Sequence, residues 1–95
     1  MKEIRILIAD DHAIVRQGLA ALIGTEPGMI LVGEARDGIE AVEQARVLKP
    51  DIILMDLIMP RKDGLTAIRE IREANLASHI LVLTSFAEEN QVLPA

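Results

Sequence analysis

Three aspartates and a threonine stand where apolar runs end: Asp10 and Asp11 after Ile4 to Ala9, Asp56 after Ile52 to Met55, and Thr84 after Ile80 to Leu83. A carboxylate beside so much apolar surface is costly unless a cation or hydrogen-bond donors compensate it. If the runs are neighbouring parallel strands, the carboxylates meet at one rim, where open α/β sheets bind their ligands. Carboxylates that close repel one another and resist ionising together. A hard divalent cation removes that conflict. Magnesium suits such a site, because it takes a few carboxylates, keeps several waters and leaves room for phosphate oxygens. One carboxylate could then act as a nucleophile towards a phosphoryl group, and Thr84 could donate its hydroxyl to a phosphoryl oxygen. Singly, each residue has a plainer role: Asp10 and Asp11 could cap a helix, and Thr84 could be an ordinary strand residue.

The elements that must position these groups follow from periodicity. Ile4 to Ala9 reads as a buried strand. Val15, Leu19, Leu22 and Ile23 recur at helical spacing, giving one apolar stripe on a helix that stops near Gly24. Glu26-Pro27-Gly28 is a turn, and Ile30 to Ala35 is a strand of mixed polarity, suited to a sheet edge. Asp37 followed by Glu40 resembles a capping box. Ile39, Val42 and Ala45 form the inner face of the helix it opens, which Lys49-Pro50 ends. After Ile52 to Met55 and Asp56, Pro60 forbids an interior ladder, and Asp63-Gly64 turns into a helix whose repeat is Leu65, Ile68 and Ile71. His79 to Thr84 is a fourth strand, and Ser85 with Glu88 starts another helix. Strict alternation of strand and helix implies a parallel sheet with right-handed crossovers and helices on both faces.

Composition narrows the functional classes. At 95 residues the chain is one α/β domain, with 51% hydrophobic and 26% charged residues. The net charge of −5 and a single aromatic, Phe86, argue against direct nucleic-acid binding by this segment. The lack of cysteine excludes thiol catalysis, disulfides and zinc–thiolate sites. The N-terminus does not read as a signal peptide, and no apolar run is long enough to span a bilayer, so the expected location is cytoplasmic. His12 and His79 belong to no metal-ligand spacing and are expected to be structural.

Three motifs together carry a family resemblance: Asp10-Asp11-His12-Ala13-Ile14-Val15-Arg16-Gln17-Gly18-Leu19, Asp56-Leu57-Ile58-Met59-Pro60-Arg61-Lys62-Asp63-Gly64, and Leu83-Thr84-Ser85. The chain resembles the receiver domain of bacterial two-component response regulators along its whole length. Asp-Asp-His, Arg16 to Leu19 and Val32-Gly33-Glu34-Ala35 look like the NarL/FixJ subfamily, whose members usually carry a C-terminal LuxR-type helix-turn-helix domain. The resemblance implies a flavodoxin-like, doubly wound sheet of order 2-1-3-4, with the fifth strand missing. It also implies that Asp56 is the phosphoacceptor for a sensor histidine kinase, in a signalling domain and not an enzyme. Asp11, Asp56 and the Ile58 backbone carbonyl would bind Mg2+ directly, and Asp10 largely through water. Thr84 would be the switch hydroxyl, and Pro60 and Gly64 would shape the adjacent loop. The output would be transcription regulation through a LuxR-type domain outside this segment.

One departure from the family pattern is expected to matter. The family places a lysine at the end of a fifth strand, and Lys2, Lys49 and Lys62 are not equivalent to it. Residues 1–95 therefore read as a receiver domain incomplete at its C-terminus, without an effector domain. Its fourth strand would be left as an apolar edge that favours self-association, by edge pairing or exchange of elements. The alternative is a fragment incompetent in phosphotransfer that folds or associates as a structural module. A phosphatase with an aspartyl-phosphate intermediate fits less well, because Ile58 stands where its general acid would be. A flavodoxin-like cofactor carrier fits poorly too, since Asp10-Asp11-His12 would repel a phosphate without metal.

Overall fold

A computed structural model describes residues 3–74 and 77–83. The elements run β1 (Ile4–Ala9), α1 (Ala13–Gly24), β2 (Met29–Ala35), α2 (Gly38–Leu48), β3 (Ile52–Asp56), α3 (Gly64–Glu73) and β4 (His79–Leu83). Local chemistry sets their ends. Asp37 N-caps α2, its carboxylate accepting the Glu40 N–H at 2.9 Å. Glu40 reaches back to the Arg36 N–H at 2.9 Å, one residue beyond the position an ideal capping box uses. Asp63 caps α3 in the same way, accepting from the Thr66 N–H at 2.8 Å. At the other end of α2, Lys49 turns left-handed at φ 49° and Pro50 follows, so the helix cannot continue.

The sheet is parallel, with strand order β2-β1-β3-β4, a flavodoxin-like receiver arrangement. Register does the positioning. Ala9 pairs with Met55, so the residues just past them, Asp10 and Asp56, stand side by side at the C-terminal rim. The Asp10 N–H extends the ladder towards β2 by bonding the Ala35 carbonyl at 3.0 Å. One face of the sheet packs Leu7, Ala9, Ile53 and Met55 against Val42 and Ala45 of α2 and Ala67 and Ile71 of α3. The other face packs Ile6 and Ile8 against Ile23 of α1, with Leu19, Leu31 and Leu54 partly buried around them.

Two expected inner faces need correction. On α1, Val15 is more than a third exposed and Leu22 is two-thirds exposed, so the four-residue stripe contributes chiefly Ile23 and Leu19. The helical period holds, but among the described residues only the Leu19 and Ile23 side of the stripe meets the sheet. On α3, Leu65 lies in water and Ala67 takes the buried place, because the inner face follows 64, 67 and 71. Gly64 and Ala67 let that first turn approach the sheet closely, and a leucine there would not fit. Thr84, Ser85 and Glu88 lie outside the described residues.

Candidate functional site

The C-terminal rim gathers the aspartates that end the first and third strands. Asp10 and Asp56 are buried, whereas Asp11 and His12, one and two residues further out, are exposed. A carboxylate oxygen from each of Asp10, Asp11 and Asp56 and a ring nitrogen of His12 all lie within 4.8 Å of one another. Backbone donors hold the buried pair: the His12 N–H reaches Asp10 Oδ1 at 2.8 Å, and the Ile58 N–H approaches Asp56 Oδ1 at 3.3 Å. Arg16, one turn into α1, donates to the Asp10 carbonyl at 2.8 Å and to Glu34 Oε1 at 3.1 Å. It thereby ties the helix start to both strand ends.

The loop after β3 is fixed closely against Asp56. The Gly64 N–H bonds the Leu57 carbonyl at 2.8 Å, and a Cβ on Gly64 would overlap the Asp56 carbonyl oxygen. Only glycine lets α3 start this near the strand end. Pro60 is exposed at the loop tip and, with Asp11, Arg36, Asp37, Glu40 and Arg61, lines an open cleft of about 530 Å³ beside the carboxylates. Ile58 is half-exposed next to the site.

His12 was not expected among these groups. Its Nδ1 stands 2.9 Å from Asp10 Oδ1, 3.2 Å from Asp11 Oδ1 and 4.0 Å from Asp56 Oδ2. The hydrogen bond to Asp10, followed by the charge of Asp11, raises the imidazole above its ordinary value near 6.5. The pocket therefore favours a positive charge at its centre. Its donors are mainly hard carboxylate oxygens, which is the chemistry that Mg2+ selects, so the residues present fit that ion. Spacing rules for metal ligands could not have found His12, because it follows Asp10 and Asp11 directly in a turn. The signal available was its place as N-cap of α1, where it makes no side-chain cap bond and its ring is left to face the carboxylates.

Comparison with known proteins agrees with this geometry. Residues 6–95 match the family model for the response regulator receiver domain. The transcriptional regulatory protein LiaR of Bacillus subtilis is 46% identical over 91 residues, covering 96% of this chain and 43% of LiaR. The response regulator protein VraR of Staphylococcus aureus is 41% identical over 92 residues, covering 97% of this chain and 44% of VraR. The chain thus spans less than half the length of these curated relatives. Among solved structures, the response regulator domain of Thermotoga maritima CheB superposes with a TM-score of 0.85 at 41% identity, over 93% of this chain and 65% of that one. A LuxR-family two-component response regulator from an Aurantimonas species gives 0.81 at 43% identity, over 87% and 59%.

Proposed function

The chain belongs to the response regulator receiver family, and on that premise we propose that Asp56 accepts a phosphoryl group from the phosphohistidine of a sensor kinase. A carboxylate oxygen of Asp56 forms the new bond to phosphorus as the phosphorus–nitrogen bond of the donor breaks. The released imidazole takes its proton from solvent. The observation that carries this reading is the convergence of Asp10, Asp11 and Asp56 at adjacent parallel strand ends, with the Asp56 carboxylate buried and approached by the Ile58 N–H. Asp11, Asp56 and the Ile58 carbonyl would hold Mg2+ directly and Asp10 through water. The ion supplies positive charge against the carboxylates and the transferring phosphoryl oxygens. Gly64 and Pro60 shape the loop that presents Asp56, and Thr84 is the hydroxyl that would turn to the phosphoryl group and reset the segment after it.

Since LiaR is a transcriptional regulatory protein, VraR a response regulator protein and the similar Aurantimonas structure a LuxR-family regulator, the phosphorylated domain would act on transcription through a LuxR-type output domain, in the cytoplasm. No described helix is long and apolar enough to cross a membrane. Copies of the domain would pair through β4, whose Leu81 and Val82 are half-exposed at the edge of the described sheet. Sedimentation across a concentration series checks that association, and a monomer throughout would refute it.

A second reading is a domain that folds or associates without phosphotransfer. Among the described residues, Lys62 is paired with Glu70 and Lys49 closes α2 at the opposite end of the sheet, so neither faces the carboxylates. One experiment separates the two. Incubation with a small phosphoryl donor and Mg2+, read by mass spectrometry, should add one phosphoryl group to Asp56 and none to Asp56→Asn. Label surviving that substitution would assign the nucleophile wrongly, and no label on the natural sequence would favour the structural reading.

A further inference from the structure

Arg61 has one of only two positive φ values at non-glycine residues among those described. The other, Lys49, ends a helix, whereas Arg61 at φ 67° sits in the loop that carries Ile58 past Asp56. A left-handed arginine costs backbone energy and persists only where its surroundings hold it. What holds it is Asp37. Arg61 Nε donates to Asp37 Oδ2 at 2.9 Å, and Nη2 lies 2.8 Å from the same oxygen as an ion pair. Asp37 is buried, and its other oxygen caps α2 through the Glu40 N–H. The two jobs explain why its carboxyl is held below the ordinary carboxylate range: the Glu40 N–H contributes most, then Arg61. Beside it, α2 starts with Gly38, where a Cβ would overlap the Lys62 carbonyl. The loop is thus pressed on the α2 N-terminus at two successive residues, Arg61 by charge and Lys62 by close backbone contact. Between this junction and Asp11 lies the cleft described above.

We propose that the Asp37–Arg61 ion pair is a latch that positions the loop from Leu57 to Asp63 over Asp56, making Arg61 a positioning residue for cation binding and phosphoryl acceptance. The inference rests on the receiver reading above. Arg61 acts through the backbone: with its guanidinium seated on Asp37, the Ile58 amide stays beside Asp56 Oδ1, and the open side of the pocket keeps one shape. Arg36, the other cationic wall of the cleft, lacks this role because its partner Glu40 is only four residues on, in the helix that begins just after Arg36 and its cap Asp37, and the pair spans no junction between loops.

Electrostatics and positioning predict opposite signs, which makes the proposal testable. Removing a positive charge near three carboxylates should tighten cation binding if charge alone matters. Losing the latch should weaken it. Arg61→Gly is the informative variant, since glycine adopts the left-handed conformation without strain and the fold is retained. Mg2+ titration of the 95-residue chain, followed through the Ile58 and Asp56 amide resonances, should give an affinity about fivefold weaker in Arg61→Gly, the most that an exposed ion pair of ~1 kcal/mol can transmit. Arg61→Lys should recover only part of this, because a flexible ammonium keeps the charge without the planar guanidinium that seats on Asp37. Arg36→Ala should leave the affinity unchanged or slightly tighter. Labelling of Asp56 by a small donor at saturating Mg2+ should slow in step in Arg61→Gly. An unchanged or tighter affinity in Arg61→Gly, or equal weakening in Arg36→Ala, would overturn the latch. Absence of labelling in the unsubstituted chain would instead remove the phosphoacceptor reading and leave the affinity comparison intact.

Discussion

On the face covered by α2 and α3, the sheet buries Leu7, Ala9, Ile53 and Met55 completely, and small residues on the helices (Ala41, Ala45, Ala67) let the layers approach closely. On the face covered by α1, only Ile6, Ile8 and Ile23 are buried among the described residues, and Ile14 and Leu22 of α1 face outward. The site straddles that difference. Asp56 is the last residue of β3, held from the well-packed side by the close approach of Gly64. Asp11 and His12 belong to the turn that enters α1, on the thinly packed side, and they are exposed. The contrast teaches a division of labour: Asp56, the proposed nucleophile, is fixed with Asp10 in the buried rim, whereas Asp11 and His12 meet the same site from the exposed turn.

The strongest way to break the comparison is to truncate one core residue on each side. Ile53→Ala removes a fully buried side chain from the central packing and should cost about 2–5 kcal/mol, a large share of the roughly 5–15 kcal/mol that stabilises a domain. Leu22→Ala on α1 should change stability by no more than about 0.5 kcal/mol. Urea unfolding of both variants gives the answer. Equal losses would mean that the α1 face is as well covered as the other.

Glycine replacements sharpen the same contrast with opposite signs. Gly64→Ala drives a methyl group into the Asp56 carbonyl and should destabilise by about 1–3 kcal/mol, with the Asp56 amide resonance displaced. Gly18→Ala places a methyl in the middle of α1 where nothing lies within 4 Å, and should stabilise by about 0.5–1 kcal/mol through helix propensity. Thermal melts of the pair decide it. A destabilised Gly18→Ala would show that the α1 surface is occupied.

Much of this arrangement was legible in the sequence, for definite reasons. Unbroken apolar runs of strand length separated by helical repeats forced a parallel sheet, and Asp10 and Asp56 could be placed at its rim because each follows such a run directly. The cap at Asp37 was legible because acceptor and amide are three residues apart, whereas Asp63 read only as the turn into α3 and its cap on Thr66 emerged from the structure. What escaped was long-range and aperiodic. Nothing near Arg61 announces a partner 24 residues earlier, since ion pairs between loops leave no repeat. Ser78 is buried with its hydroxyl on the Pro50 carbonyl at 2.6 Å, again a contact between two connections. Leu65 escapes a hydropathy-based expectation because size, not hydrophobicity, decides which residue fits there. At the first turn of α3 the sheet admits Gly64 and Ala67, and the larger side chain is turned to solvent.

The smallest expected effect concerns acid. The helices of the well-packed face start on carboxylates whose protonation the fold opposes: Asp63 is held below its ordinary 3.8 by the Thr66 N–H, and Asp37 by the Glu40 N–H and then Arg61. α1 starts on His12, which makes no side-chain cap. A carboxyl whose folded value is lowered binds its proton more readily in the unfolded chain. Its stabilising contribution is therefore complete above the unfolded value and is lost as pH falls through the folded one. Asp63→Asn keeps a capping oxygen and removes only the charge. Urea midpoints of the natural chain and Asp63→Asn should then differ by a small constant amount from neutral pH to about pH 5, and converge as the pH falls below about 4. Added salt should shrink the neutral-pH difference, because the charge acts on an exposed helix end. A gap that widened on acidification would mean that the Asp63 carboxylate is not favoured in the folded state, and acid sensitivity would then have to be sought on the α1 side of the sheet.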